Sequence, residues 1–311
     1  VHDPDTAAVQ ALQRERSVGT GTTQFDELLA TGVDFVVLTG PCGSRLELVH
    51  QAAQQAVPVL LHAPMAPTLA DAESMVAACE AADVRLGVLV PDMADPVAEQ
   101  LRRMLVDGWF GGLVAVHTFR GDDDLLRHPP QRGDTRLLAT LFGADPLLRF
   151  ATADVHLVTW LTGRPCLHVA ADATRGVLPL PCDSAVAMAR LRGNLQAVFA
   201  ASDLSAGRSL VVRGTDGHVQ WLGAAVVVQG ARSFTGDTFA YDTPGQQRVF
   251  DGASLRAARQ RLSPALELHG RFARWLDDLD GFPCPAEQAL LDMRTVDAMQ
   301  RALVSGATEA P

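Results

Sequence analysis

Short, unbroken apolar runs alternate with stretches of helical spacing over the first third of the chain. Residues 34–39, 57–61 and 85–90 are apolar runs too brief for an ordinary helix, and they read as buried parallel strands. Residues 5–16, 25–30, 45–56, 68–82 and 95–106 carry helical patterns. Thr68 is placed to cap the start of the fourth of these helices, with Asp71 as the acid in its first turn. Strands regularly separated by helices predict right-handed crossovers and a doubly wound parallel sheet.

The pattern changes after Asp107-Gly-Trp-Phe-Gly-Gly112. A strand is expected over 113–119, then a polar, proline-containing loop over 121–133 and one strong helix over 145–161. Further strands are expected at 166–171, 184–191, 196–201, 210–213, 218–222 and 225–229, with Asp216-Gly217 as a hairpin signal. Helices return over 263–278 and 285–303. This order predicts an α/β protein: a doubly wound parallel sheet over residues 1–112, then an α+β domain over 113–311 with a large, mostly antiparallel sheet and C-terminal helices.

Composition narrows the function. A net charge of −10 disfavours phosphate-backbone binding, so no nucleic-acid partner is expected. No run of 18 apolar residues is present, so no membrane span is expected. The start shows neither a basic nor an apolar leader segment, and the five cysteines form no C-x-x-C pair, which fits a reducing cytoplasm. The chain has no lysine: all 26 basic side chains are arginine. Guanidinium stays charged, so no residue here can do lysine's work as a reversible proton donor.

Several local motifs, in order, resemble the glucose–fructose oxidoreductase/inositol dehydrogenase (Gfo/Idh/MocA) family over nearly the whole chain. They are Val1-His-Asp-Pro-Asp5, the Asp34 to Arg45 segment, Leu61-His-Ala-Pro-Met65 and the Asp107 to Gly112 step. Asp154 to Gly163, Val212 to Gly217 and Asp292 to Asp297 follow. The resemblance implies a Rossmann-type fold that begins here at its second strand, without the first strand and its G-x-G-x-x-G turn. A missing central strand would leave unpaired backbone groups, each costing about 1–3 kcal/mol if buried. A start at Val1 is therefore expected to be preceded by about 25–35 residues carrying that strand and turn. Gly19-Thr-Gly-Thr-Thr-Gln24 lacks the third glycine and is no substitute.

The resemblance implies NAD-dependent hydride transfer, with NADP possible, to or from a sugar, polyol or similar small polar substrate. It also implies a homo-oligomer. The other reading is a non-catalytic relative that binds a ligand or protein through the same fold. Where the family has E-K-P, this chain has His62, Ala63 and Pro64. Its D-x-G-x-H-x-x-D is set against Thr152 to Thr159, leaving His156 as the surviving acid/base. His62 is either a second proton donor, imidazole being the side chain best suited to proton transfer near neutral pH, or a solvated loop residue. Asp3 is expected at the ribose hydroxyls or capping the first helix, and Gly40, Pro41 and Pro64 are expected to shape the cofactor loops. Arg45 is either an anion clamp or a surface arginine. Thr152 and Thr159, near His156 on one helix face, are the substrate-side candidates. The other histidines show no metal-ligand spacing, so no metal is expected, and Asp122-Asp-Asp124 reads as a solvated loop.

Overall fold

The three apolar runs become a parallel sheet. The computed structural model describes residues 1–16, 18–127, 146–178, 180, 182–230, 247–259 and 262–311. In it β1 (Val36–Leu38), β2 (Val59–His62) and β3 (Leu86–Leu89) lie side by side in that order. Val36 pairs with Val59, and Val59 with Leu86. Val59, Leu60 and Leu61 are fully buried, so successive side chains on both faces meet apolar neighbours and the run has no place for a polar one. Helices α1 (Thr6–Arg16), α2 (Phe25–Leu29), α3 (Arg45–Gln54), α4 (Leu69–Ala81) and α5 (Pro96–Val106) alternate with the strands. Thr68 caps α4 as expected, its hydroxyl accepting from the Asp71 N–H at 3.1 Å.

Ahead of this sheet, His2 forms an isolated parallel bridge with Thr22. The Gly19 to Gln24 stretch thus supplies a strand partner. Among the described residues β1 is an edge strand, and no strand links it to the His2–Thr22 pair.

Gly108 and Gly111, both at φ +70°, turn the chain out of α5. A side chain at either would be strained, which explains the glycines of this step. The second sheet then begins with β4 (Leu113–Gly121). The short helix α6 (Asp124–Arg127) follows; the rest of the loop expected to 133, and His128 with it, lies outside the described residues. A π-helical turn (Leu147–Ala151) leads into α7 (Thr152–Thr162). The sheet continues through β5 (Cys166–Thr174), β6 (Ser184–Leu191), β7 (Leu195–Ser202), β8 (Gly207–Gly214), β9 (Gly217–Leu222), β10 (Ala225–Gly230) and β11 (Gln247–Asp251). Its order is β11-β10-β9-β8-β4-β7-β6-β5, antiparallel throughout except for the parallel β4–β7 pair. The Asp216-Gly217 signal sits in the β8–β9 hairpin. β11 and the helix after it, α8 (Gly252–Arg259), were not expected from the sequence pattern.

The C-terminal helices return to the first sheet. Phe282, in the turn after α9 (Pro264–Leu276), and Phe272 within that helix close over Gly87 of β3. A Cβ on that glycine would stand 2.8 Å from the Phe282 ring. The Val88 N–H donates to Cys284 O at 2.9 Å, so the segment before α10 (Ala286–Ser305) covers the outer edge of β3. α10 then packs on α4, α7 and β5. The last helices therefore complete the first unit and join it to the second through one continuous core.

Candidate active site

The carboxyl ends of parallel strands are where open α/β sheets bind ligands. Here those ends are tied together by Arg45, which is 5% exposed. Its Nε and Nη2 donate to Gly40 O at 2.8 and 2.6 Å, and its Nη1 donates to Pro64 O at 2.6 Å and to His62 O. One guanidinium thus holds the loop after β1 to the loop after β2. Arg45 is neither a surface arginine nor a clamp facing a ligand, because its donors already point at backbone carbonyls. It shapes the loops that Gly40, Pro41 and Pro64 were expected to form.

Nothing lies within 4 Å of where a Cβ on Gly40 would stand, so the β1 loop faces open space. Asp3, half-buried at the tip of the His2–Thr22 pair, accepts from the Asp5 N–H at 2.8 Å, and Asp5 in turn accepts from the Ala7 N–H at 2.8 Å. Asp3 therefore closes the turn into α1 while its carboxylate stays partly exposed. These features fit the ribose end and the loop side of a dinucleotide. Among the described residues there is no glycine-rich turn for its pyrophosphate.

His62 ends β2, half-buried, with Nδ1 3.2 Å from Ala63 O. His269 on α9 feels its charge: burial first, then His62, pushes the His269 imidazole below its usual value. The structure thus gives His62 a titratable neighbour that sequence spacing could not show.

The residues expected to face the site from α7 are turned into the core or bonded within the helix. His156 is 0% exposed, and its Nδ1 is 2.7 Å from Asp292 Oδ2 on α10. Burial alone would lower its pKa, but Cys284 and the Asp292 carboxylate outweigh that and raise it. Its Nε2 is also enclosed, without a partner. Thr152 is 0% exposed and donates to Leu148 O at 2.7 Å; Thr159 donates to Val155 O at 2.9 Å. The face Thr152–His156 is the core face, because α10 packs against it. The half-exposed positions at the start of this helical stretch are Arg149, Phe150 and Ala153. A proton donor must reach the substrate, and His156 does not reach the surface. Asp154 points away from His156, toward Arg120.

Sequence reasoning missed a charged network at the carboxyl end of β3. Asp154 accepts from Arg120 at 2.9 and 2.6 Å, and Asp92 accepts from both Arg120 and Arg208. Arg120 and Arg208 stand opposite each other on β4 and β8. Arg208 lies over the Trp221 ring at 4.2 Å. Burial pushes Asp154 up, against the pull of Arg120. The strand-end rule flags Asp92; its partners lie too far along the chain to be read from spacing. Asp122 accepts from the Asp124 N–H at 2.8 Å, Asp123 pairs with Arg127, and Asp124 opens α6.

Family comparison agrees with this architecture. A model of an oxidoreductase family with an NAD-binding Rossmann fold matches residues 1–90, and a model of the GFO/IDH/MocA C-terminal domain matches residues 98–220. The chain belongs to the Gfo/Idh/MocA oxidoreductase family. It is 29% identical to a myo-inositol dehydrogenase of Streptomyces leeuwenhoekii over 211 residues, 66% of this chain and 61% of that protein. It is 42% identical to a D-apiose dehydrogenase of Paraburkholderia graminis over 84 residues, 27% of this chain and 22% of that protein. Both matches span less than two thirds of the relative's length. An aldose–aldose oxidoreductase from Caulobacter crescentus superposes with a TM-score of 0.83 at 18% identity, covering 100% of this chain and 90% of that one. An inositol dehydrogenase homologue from Azotobacter vinelandii, solved with NAD+, gives 0.79 at 17% identity over 99% and 88%. At these identities the likeness shows the fold. Among the described residues no helix is long and apolar enough to cross a membrane.

Proposed function

We propose that the protein is an NAD-dependent oxidoreductase acting on a CH–OH group of a sugar, polyol or similar small polar substrate. The observation that carries this reading is the Arg45 clamp, which sets Gly40–Pro41 and His62–Pro64 side by side within the NAD-binding fold. The names of the two dehydrogenase relatives support the substrate class. When bound, the dinucleotide supplies the hydride acceptor or donor. The chain's own residues do the rest. Asp3 holds the ribose hydroxyls, Gly40 lets the cofactor approach the backbone, and His62 moves the proton that accompanies hydride transfer. His62 takes that role because His156 is enclosed and Ala63 stands where the family has lysine.

The same two facts favour a second reading, a relative that binds the dinucleotide without turnover. The test is NAD reduction across a sugar and polyol panel, with NADH binding measured separately by fluorescence. Turnover that falls in His62→Gln with binding intact supports the enzyme; binding without turnover in the unmutated protein supports the second reading.

We also propose a homo-oligomer formed through the open face of the second sheet, in a cytoplasmic setting without nucleic-acid or membrane partners. One row of that face runs Ala170, Met188, Val198, His117, Val211, Gln220 and Val227 in cross-strand register. Met188 is 61% exposed there, and exposed apolar side chains grouped on one surface mark contact sites.

A further inference from the structure

His156, Cys284 and Asp292 come from three segments: α7, the strand-edge segment before α10, and α10 itself. Their ligand atoms nevertheless all lie within 4.8 Å of one another, and the three residues are 0%, 0% and 2% exposed. The proposed oxidoreductase chemistry uses none of them. A hydrogen-bonded His–Asp pair accounts for two of the three, but not for a thiol held 3.7 Å from the same ring nitrogen.

The separations suit a shared metal ion. Zinc bonds sulfur at about 2.3 Å and imidazole nitrogen at about 2.0–2.1 Å, so tetrahedral S and N ligands stand about 3.6 Å apart. Cys284 Sγ and His156 Nδ1 are already at that spacing. The N···O distance of 2.7 Å is that of a shared proton. An ion replacing the proton would open it by about half an ångström, toward the roughly 3.3 Å of a tetrahedral edge. Gln288 Nε2 donates to the other Asp292 oxygen at 3.1 Å, the outer hydrogen bond that ligating carboxylates receive.

Charge agrees as well. A divalent ion with one thiolate, one carboxylate and a neutral imidazole sums to zero, which an enclosed site requires. The thiolate and imidazole select zinc or cobalt over magnesium or calcium. We propose that His156, Cys284 and Asp292 form a zinc site that staples α7 and α10 to the outer edge of β3, with water completing the tetrahedron. The wide spacing of 156, 284 and 292 along the chain gives no short ligand motif, so the site is invisible to sequence reading.

The test uses the whole protein, purified without chelator, incubated with zinc and desalted. Elemental analysis should find about one zinc per chain, and zinc should raise the melting temperature of chelator-treated protein. Cobalt in its place should give tetrahedral d–d bands and a thiolate-to-cobalt charge-transfer band in the near ultraviolet. That band should vanish in Cys284→Ser and persist in Cys166→Ser. If Cys284→Ser does not fold, Asp292→Asn should bind zinc at least about tenfold more weakly than the unmutated protein. Folded, unmutated protein that retains less than about 0.1 zinc per chain and shows no charge-transfer band would overturn the proposal. So would a band that survives Cys284→Ser and is lost in Cys166→Ser.

Discussion

Arg45→Met removes the clamp while keeping most of the side-chain volume, and its effect can be worked from the hydrogen bonds. The guanidinium serves three carbonyls, those of Gly40, His62 and Pro64. Hydrogen bonds involving a charged group contribute about 1.5–3 kcal/mol each, and a buried acceptor left alone costs about 1–3 kcal/mol. Full addition over three carbonyls would reach roughly 4–9 kcal/mol. Two of the three carbonyls lie in partly buried loops, where water can replace a lost donor, so the lower end applies. The expected loss is about 4–5 kcal/mol, the lower end because each acceptor is partly resolvated. Urea unfolding followed by circular dichroism should show a lower midpoint with an unchanged m-value. NADH affinity should fall at least about tenfold, because the loops after β1 and β2 lose their mutual position. Arg45→Lys should recover only part of either loss, since an ammonium cannot span three carbonyls in a planar fork. A destabilisation under about 1 kcal/mol with unchanged NADH affinity would refute the idea that Arg45 organises the site.

Asp3 should make NADH bind more tightly than NADPH, because a carboxylate accepts from ribose hydroxyls and repels a 2′-phosphate; fluorescence titration of both cofactors checks this, and the reverse preference would remove Asp3 from the ribose. Burial raises Asp203 from 3.8 to about 6 despite its pairing with Arg149. The folded state therefore holds a proton that the unfolded state releases between about pH 4 and 6, and stability falls as pH rises through that window. Relative to Asp203→Asn, the unmutated protein should lose stability from pH 4 to 6 in chemical unfolding; a difference that stays flat or grows would contradict the assignment. Met188→Glu on the open face should shift the protein toward monomer in light scattering after size exclusion, whereas an unchanged mass would place the interface elsewhere.

Much of the fold was legible because its signals are local. The unbroken apolar runs gave β1 to β3, Thr68 and Asp71 gave the start of α4, and alternation over 184–191 gave β6 with its bounds. The His2–Thr22 bridge was not legible, since one bridge leaves no periodic trace. Nor was the return of the C-terminal helices to the first unit, because the contacts of Phe272, Phe282 and Cys284 with β3 span nearly 200 residues of chain. At the site, the ends of the apolar runs located Gly40 and Pro64 just past β1 and β2, with His62 as the last residue of β2. The face of α7 was misread for a physical reason. A helix packed on one side by a later helix and on another by a sheet is apolar over most of its circumference, so an i, i+4 polar pair does not reveal which side is open. Thr152 and His156 mark the side that α10 covers, whereas Ala153, with no polar atom in its side chain, stands at the open one.

In the proposed oxidoreductase, His62 carries the proton in place of the missing lysine and the enclosed His156. General acid–base assistance is worth about 10²–10⁴-fold in rate. Steady-state NAD reduction by the unmutated protein and by His62→Gln, on whichever sugar or polyol gives the highest rate, tests it directly. The predicted result is a fall in kcat of that order with NADH affinity unchanged. Turnover in His62→Gln equal to that of the unmutated protein would contradict that role for His62.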